Sequence, residues 1–265
     1  MKSGFGVFFA VAVTLSLSWL GFVVAPAVQL GSAKQTTVLI SGDTWPQQRT
    51  GEATLGQQIY RANGCVACHT TQMRQDGIIC DVVLAKPGKN PVAVTNLLST
   101  LKLSGLTKDQ ADEVSQQISD KGGTAETHIS ATGPDIKNDW GVRRSVAADF
   151  LYDAPVQLGN LRAGPDLANI GARSASSLLM QHLYAPRSIN QASTMPSYKF
   201  LFDVQKIGDA PSPDALKDLP KDAAPADGFE VVPKPEAKQL VAYLLSLHAD
   251  VPLYEAPFTP AAPKP

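Results

Sequence analysis

Cysteine is scarce in this chain: three residues among 265, beside four histidines and four methionines. An odd, small cysteine count excludes the disulfide framework that staples small secreted domains. An excess of one charge is also missing. Lysine and arginine number 23 against 24 aspartates and glutamates, and no basic cluster breaks the pattern. That excludes the electrostatic footprint of nucleic-acid binding. Charge is absent altogether between Lys2 and Lys34. Proline and glycine are plentiful, twenty of each, so much of the chain is expected to be loop.

The charge-free stretch contains the run Gly4 to Val28, GFGVFFAVAVTLSLSWLGFVVAPAV. About 20 apolar residues cross a bilayer as a helix. A cleaved signal peptide is the alternative, with Ala25-Pro26-Ala27 as its small-x-small site. The apolar region of a signal peptide spans roughly 7–15 residues, fewer than this run. Residues 1–30 are therefore expected to be a retained anchor. Lys2 at its start favours a cytoplasmic N-terminus. The remainder then lies in the periplasm, on one span of a bacterial inner membrane.

Cys65-Val66-Ala67-Cys68-His69 carries the chemistry. Cys-x-x-Cys-His is the attachment signature of a c-type haem. Each thiol adds to one vinyl group, and the adjacent imidazole becomes the proximal ligand. Three rivals use the same cysteines, the simplest a plain disulfide between Cys65 and Cys68. A thioredoxin-like pair needs a strand-to-helix turn, but Leu55, Ile59 and Ala62 recur at i, i+4 and i+7, a helical pattern. A zinc site would need Cys80 and a histidine such as His128, which do not form a second short-spaced pair. Cys80, following Ile78 and Ile79, reads as a small buried hydrophobe.

A haem that only passes electrons needs a second axial ligand. The candidates are Met73, Met180, Met195, His128, His182 and His248. Met73 follows His69 too closely to reach the opposite face of the haem. Met180 and His182 fall on an apolar helical stripe and read as packing. Met195 precedes Pro196 in a non-helical stretch able to hold a thioether, and is favoured. A ligating histidine typically donates its other ring N–H to an oxygen acceptor. The Pro165 carbonyl is the candidate here, because proline has a fixed φ.

The remaining periodicities read as helices, so the expected fold class is all-α. Residues 31–50 form a membrane-proximal linker, and 51–250 the cytochrome domain. A helical insertion occupies about 81–138: Val94, Leu97, Leu98 and Leu101 mark one helix, and Thr107 with Gln110 opens a second through a capping box. Trp140–Tyr152 reads as a short helix with Arg143-Arg144 on a solvated face. Another helix is expected from Ser174 to Tyr184, and a last one from Pro235, striped by Leu240, Tyr243, Leu244 and Leu247. Residues 209–233 read as a loop and 251–265 as a tail.

Four motifs occur in order: G-x-x-x-Y-x-x-x-G-C-x-x-C-H (Gly56 to His69), R-x-G-P-D-L (Arg162 to Leu167), L-Y-x-P-R-S (Leu183 to Ser188) and M-P-x-Y-x-F-L (Met195 to Leu201). With them the chain resembles the membrane-anchored, mono-haem subunit II of cbb3-type cytochrome c oxidases. The resemblance implies a class I cytochrome c fold on one transmembrane helix. It implies one haem c bound through Cys65 and Cys68, with His69 and Met195 on the iron. Arg162 and Tyr198 become candidate contacts to the haem edge or propionates. The implied partners are a haem–copper catalytic subunit and another c-type subunit or a soluble cytochrome c donor. The implied role is non-catalytic: relaying single electrons to a subunit that reduces dioxygen to water. The small cytochrome c subunit of a nitric oxide reductase, or a free membrane-anchored carrier, would share this plan.

Overall fold

The computed structural model describes residues 4–32, 34–217 and 219–260. Lys2 and the last five residues of the expected tail lie outside them. The N-terminal run is helical: α1 (Gly4–Trp19), a π-helical turn (Leu20–Val24) and α2 (Ala25–Gly31). The π turn precedes Pro26, which lacks an N–H and whose ring would crowd the carbonyl four residues back. Ala25 N–H therefore reaches the Leu20 carbonyl instead, widening the turn. Gly4–Gln29 has a mean hydropathy of 2.3, none of its apolar window is buried against the protein, and it is long enough to cross a membrane.

The linker pairs β1 (Thr36–Thr37) with β2 (Thr44–Trp45). Helix α3 (Gly51–Ala62) follows, its first turn capped by the Thr50 hydroxyl, which accepts from Ala53 N–H. Next comes a unit with its own core. Strand β3 (Gly77–Lys86) pairs antiparallel with β4 (Thr124–Thr132), and α4 (Pro91–Leu98) and α5 (Lys108–Asp120) connect them. The capping box at Thr107 and Gln110 is present. Cys80, Val82, Val94, Leu106, Val114 and Ile118 fill this small core, and Cys80 is fully buried. Thr259 bonds Ile129 on β4, its N–H to the carbonyl at 2.8 Å, tying the C-terminal segment to this unit.

The chain then returns to the first core through α6 (Pro134–Lys137), α7 (Ile170–Arg173), α8 (Ser176–Tyr184), α9 (Pro186–Ile189), the pair β5 (Phe202–Lys206) and β6 (Phe229–Pro233), and α10 (Pro235–Leu245). Helices α3 and α10 cross closely. A Cβ on Gly56 would stand 1.9 Å from the Gln239 carbonyl oxygen and 2.8 Å from the Tyr243 Cβ, so only glycine permits the crossing. Tyr60 and Tyr243 pack there with ring centroids 5.3 Å apart.

The all-α expectation is overturned. Three two-stranded antiparallel sheets accompany the helices, so the fold is mixed, and the insertion is β-α-α-β rather than helical. The strand signal was period two: Cys80, Val82 and Leu84 turn inward on β3, as do Ala125, Ile129 and Ala131 on β4. The polar half of β4 dilutes that signal, and β3 is apolar on both faces. Residues 140–152 are irregular apart from a 3₁₀ turn at Ala147–Phe150. Arg143 is fully buried, not solvated. Its guanidinium grips Asp149 with two bonds of 2.9 and 2.8 Å and donates to the Val251 carbonyl at 2.7 Å. That inward pairing, which a helix would not allow, decides the local path. Ser174 closes α7, and α8 begins at Ser176.

Candidate functional site: a cleft between two anchored walls

After α3, Gly64 turns the chain at φ +67° and the 3₁₀ turn Cys65–Ala67 begins. His69 N–H bonds the Cys65 carbonyl at 3.0 Å, which folds the pentapeptide over one turn. His69 Nδ1 lies 2.8 Å from the Pro165 carbonyl oxygen. A carbonyl only accepts, so Nδ1 carries the proton and the Nε2 lone pair is left for a ligand bond. The ring lies so flat on the Gly164 backbone that a Cβ there would sit 2.3 Å from its Cε1.

The loop presenting Pro165 is fixed from below. Gly164 N–H donates to the Cys68 carbonyl at 3.0 Å and Leu167 N–H to the Thr70 carbonyl at 2.8 Å. Asp166 is fully buried, and its carboxylate accepts from the Thr70 hydroxyl at 2.5 Å, Gln72 N–H at 2.9 Å and Ala168 N–H at 2.8 Å. Charge-assisted bonds of this kind are the stronger class. Arg162 completes the brace: it bonds Asp135 at 2.5 Å, Thr70 at 3.0 Å and the Gln72 carbonyl at 2.6 Å.

Facing His69 is a wall made of α8, α10 and the Met195 loop. Tyr198 N–H donates to the Leu183 carbonyl at 2.9 Å, and the Ser197 hydroxyl donates to the Tyr184 carbonyl. Met195 is thereby held beside the last turn of α8. Between the walls lies a cleft with about 870 Å³ of empty space, partly open to solvent, floored by Ile170, Leu179, Leu183, Leu240 and Leu244. Cys65, His69, Pro165 and Met195 all line it.

Burial pushes the Cys65 thiol up to about 11, so it is neutral near pH 7. Catalytic redox pairs need the opposite, a lowered thiol. Tyr60, with 1% of its surface exposed, lines the cleft, and its hydroxyl has no partner among the described residues. Burial also lowers the pKa of Arg173, whose Nη2 donates to the Asp166 carbonyl at 2.6 Å from the cleft wall. Apolar walls, an imidazole with its Nε2 lone pair left over, a thioether, a thiol and a hydroxyl without a partner among the described residues are a donor set that fits a haem.

The structure thus brings Cys65, His69, Pro165 and Met195 to one cleft. Cys68 is exposed and does not line the cleft. The Tyr198 side chain faces the Cys65 thiol. Arg162 does not line the cleft; its donors are engaged in the brace and it stacks on Trp140, 5.6 Å from the ring centroid. Among the other candidate ligands, Met73 is buried against Gly141 and Met180 lies in a groove behind α8. His128 is exposed on β4, and His248 pairs with Asp250 at 3.3 Å. His182 lines the cleft. Sequence reasoning missed Arg173 and the hydroxyl of Tyr60. Arg173 had a faint signal, a lone cation ending a short helix shortly after the R-x-G-P-D-L turn.

Residues 136–216 match the family described as cytochrome C oxidase, mono-heme subunit/FixO. The matched segment contains the R-x-G-P-D-L turn and the Met195 loop, and it supports the resemblance carried by the motifs. The match implies a haem cofactor and assembly with oxidase subunits. No curated protein matches the chain.

Proposed function

We propose that this chain is a membrane-anchored c-type cytochrome that relays single electrons to the haem–copper subunit of a dioxygen-reducing terminal oxidase. The observation that carries the reading is the cleft itself. It joins a histidine with a fixed tautomer, a thioether and the first thiol of the Cys-x-x-Cys pair between apolar walls. Cys65 and Cys68 would attach the haem, and His69 and Met195 would ligate its iron. Bound there, the haem iron supplies reversible one-electron chemistry.

The chain's own residues set the terms of that chemistry. The Pro165 carbonyl holds the His69 ring in orientation and keeps its Nδ1 proton in place. The Met195 thioether, a weak donor, favours the reduced state and raises the potential. The leucine-rich walls exclude water and disfavour extra charge. Arg173 lines the cleft and would offer a cation to an anionic haem substituent. Both walls are tied by backbone hydrogen bonds, Gly164 N–H to the Cys68 carbonyl on one side and Tyr198 N–H to the Leu183 carbonyl on the other. The apolar Gly4–Gln29 helix anchors the domain, which faces the periplasm.

Gentle detergent extraction from native membranes, with mass spectrometry of every co-purifying chain, tests the proposal. A haem–copper subunit and a second c-type cytochrome in an oxygen-consuming preparation support it. Isolation of the chain alone, or with a complex that reduces nitric oxide, overturns it.

A further inference from the structure

The cleft holds one more nitrogen than a His/Met site uses. His182 lines it together with His69 and Met195. It sits on α8, the helix to which the Met195 loop is pinned through Leu183 and Tyr184, the two residues that follow it. The side chain therefore belongs to the Met195 wall of the cleft that His69 also lines. Its ring makes no hydrogen bond among the described residues, and burial lowers its pKa. A half-buried imidazole that makes no hydrogen bond among the described residues, lining the same cleft as His69 and Met195, has a lone pair to offer that a leucine filling the same space would not.

We propose that His182 is a standby axial ligand: when Met195 leaves the iron, the His182 imidazole takes the sixth position. This rests on the haem reading above. Met195 rides on irregular chain between α9 and β5, whereas His182 rides on a helix. The thioether is the weaker donor and favours reduced iron, while imidazole is a good ligand for iron. Exchange is therefore most favourable in the oxidised protein. Its effect is to keep the iron six-coordinate, closed to small molecules, and at a lower potential.

The test uses the full-length, haem-loaded chain in detergent. Met195→Leu keeps the side-chain volume and removes the sulfur; Met195→Ala is the second variant should the first distort the loop. The expected result is loss of the sulfur-to-iron absorption band with a low-spin, bis-histidine electron paramagnetic resonance signal, and no carbon monoxide binding. Adding His182→Leu should convert the protein to a high-spin form that binds carbon monoxide. A single variant that is already high-spin overturns the proposal, as does a double variant that stays low-spin. A wild-type chain with no covalent haem, or with no sulfur-to-iron band, fails the reading beneath it instead, and this proposal falls with it.

Discussion

The two hydrophobic cores of this protein are built on opposite rules. The core of the β-α-α-β unit is closed: Cys80, Val94, Ala111 and Ile118 are wholly buried and pack against one another. The core around the cleft is open. Its apolar side chains line a cleft that opens to solvent, and the Tyr60 hydroxyl lines it without a partner among the described residues. The first is complete as protein. The second, on the proposed reading, is shaped to receive a group that is not protein. Packing density identifies a fold; the place where packing is withheld identifies a function.

The comparison breaks most completely at the cysteines. Cys65→Ala with Cys68→Ala should abolish covalent haem, seen as loss of haem from the denatured polypeptide. The closed core, probed by amide hydrogen exchange in β3 and β4, should be unaffected. Gly164→Ala comes next. Its Cβ would meet the His69 ring at 2.3 Å. Overpacking against a ring pinned by Pro165 should cost roughly 1–3 kcal/mol and erase the low-spin spectrum. Gly164→Ala with a normal spectrum would show that the His69 wall yields.

Ile118→Ala sharpens the contrast from the other side. Emptying a fully buried site typically costs roughly 2–5 kcal/mol, read as a lower denaturant midpoint for the β-α-α-β unit, with the haem spectrum unchanged. A more drastic form deletes 78–131 and joins Gly77 to Thr132 through a short turn. Those residues are paired neighbours at the base of β3 and β4, so the join is geometrically open. Iron ligation should survive; its loss would show that the unit helps build the cleft.

The smallest effect is electrostatic. The side-chain bond to Asp250 raises the pKa of His248, and the same bond lowers that of Asp250. The raised histidine contributes stability below its ordinary value of 6.5, lost as pH rises through its folded value. The lowered aspartate contributes above 3.8, lost as pH falls through its own folded value. The pair is thus strongest between those limits. Both groups are over a third exposed, so the gain is slight. His248→Gln should flatten the stability decline measured from below 6.5 to well above it.

The open core was far more legible in the sequence than the closed one. Its chemistry is spelled in contiguous motifs, and local rules such as the Pro165 carbonyl and the Met195-Pro196 loop follow from single residues. What joins them was hidden. Nothing in the sequence says that Arg162 is consumed by Asp135, Thr70 and Gln72 while Arg173 reaches the cleft, because that choice depends on how the turn lies over residues 70–72. The closed core misled because strand β3 is apolar on both faces and strand β4 is half polar, so neither shows a clean alternation. Arg143 misled because exposure is the ordinary fate of arginine, and only a bidentate partner such as Asp149 makes burial tolerable.

The crossing of α3 and α10 at Gly56 also dictates an order of events. Helix α3 leads into the haem motif early in the chain, while α10, which supplies Leu240 and Leu244 to the cleft, comes near its end. During synthesis the motif emerges with one wall of its cleft still unmade. On the proposed reading, haem attachment would meet an accessible pentapeptide, and docking of α10 would close over the product afterwards. A chain cut short before Pro235 would carry the attachment signature without the α10 side of the cleft to enclose what it attaches.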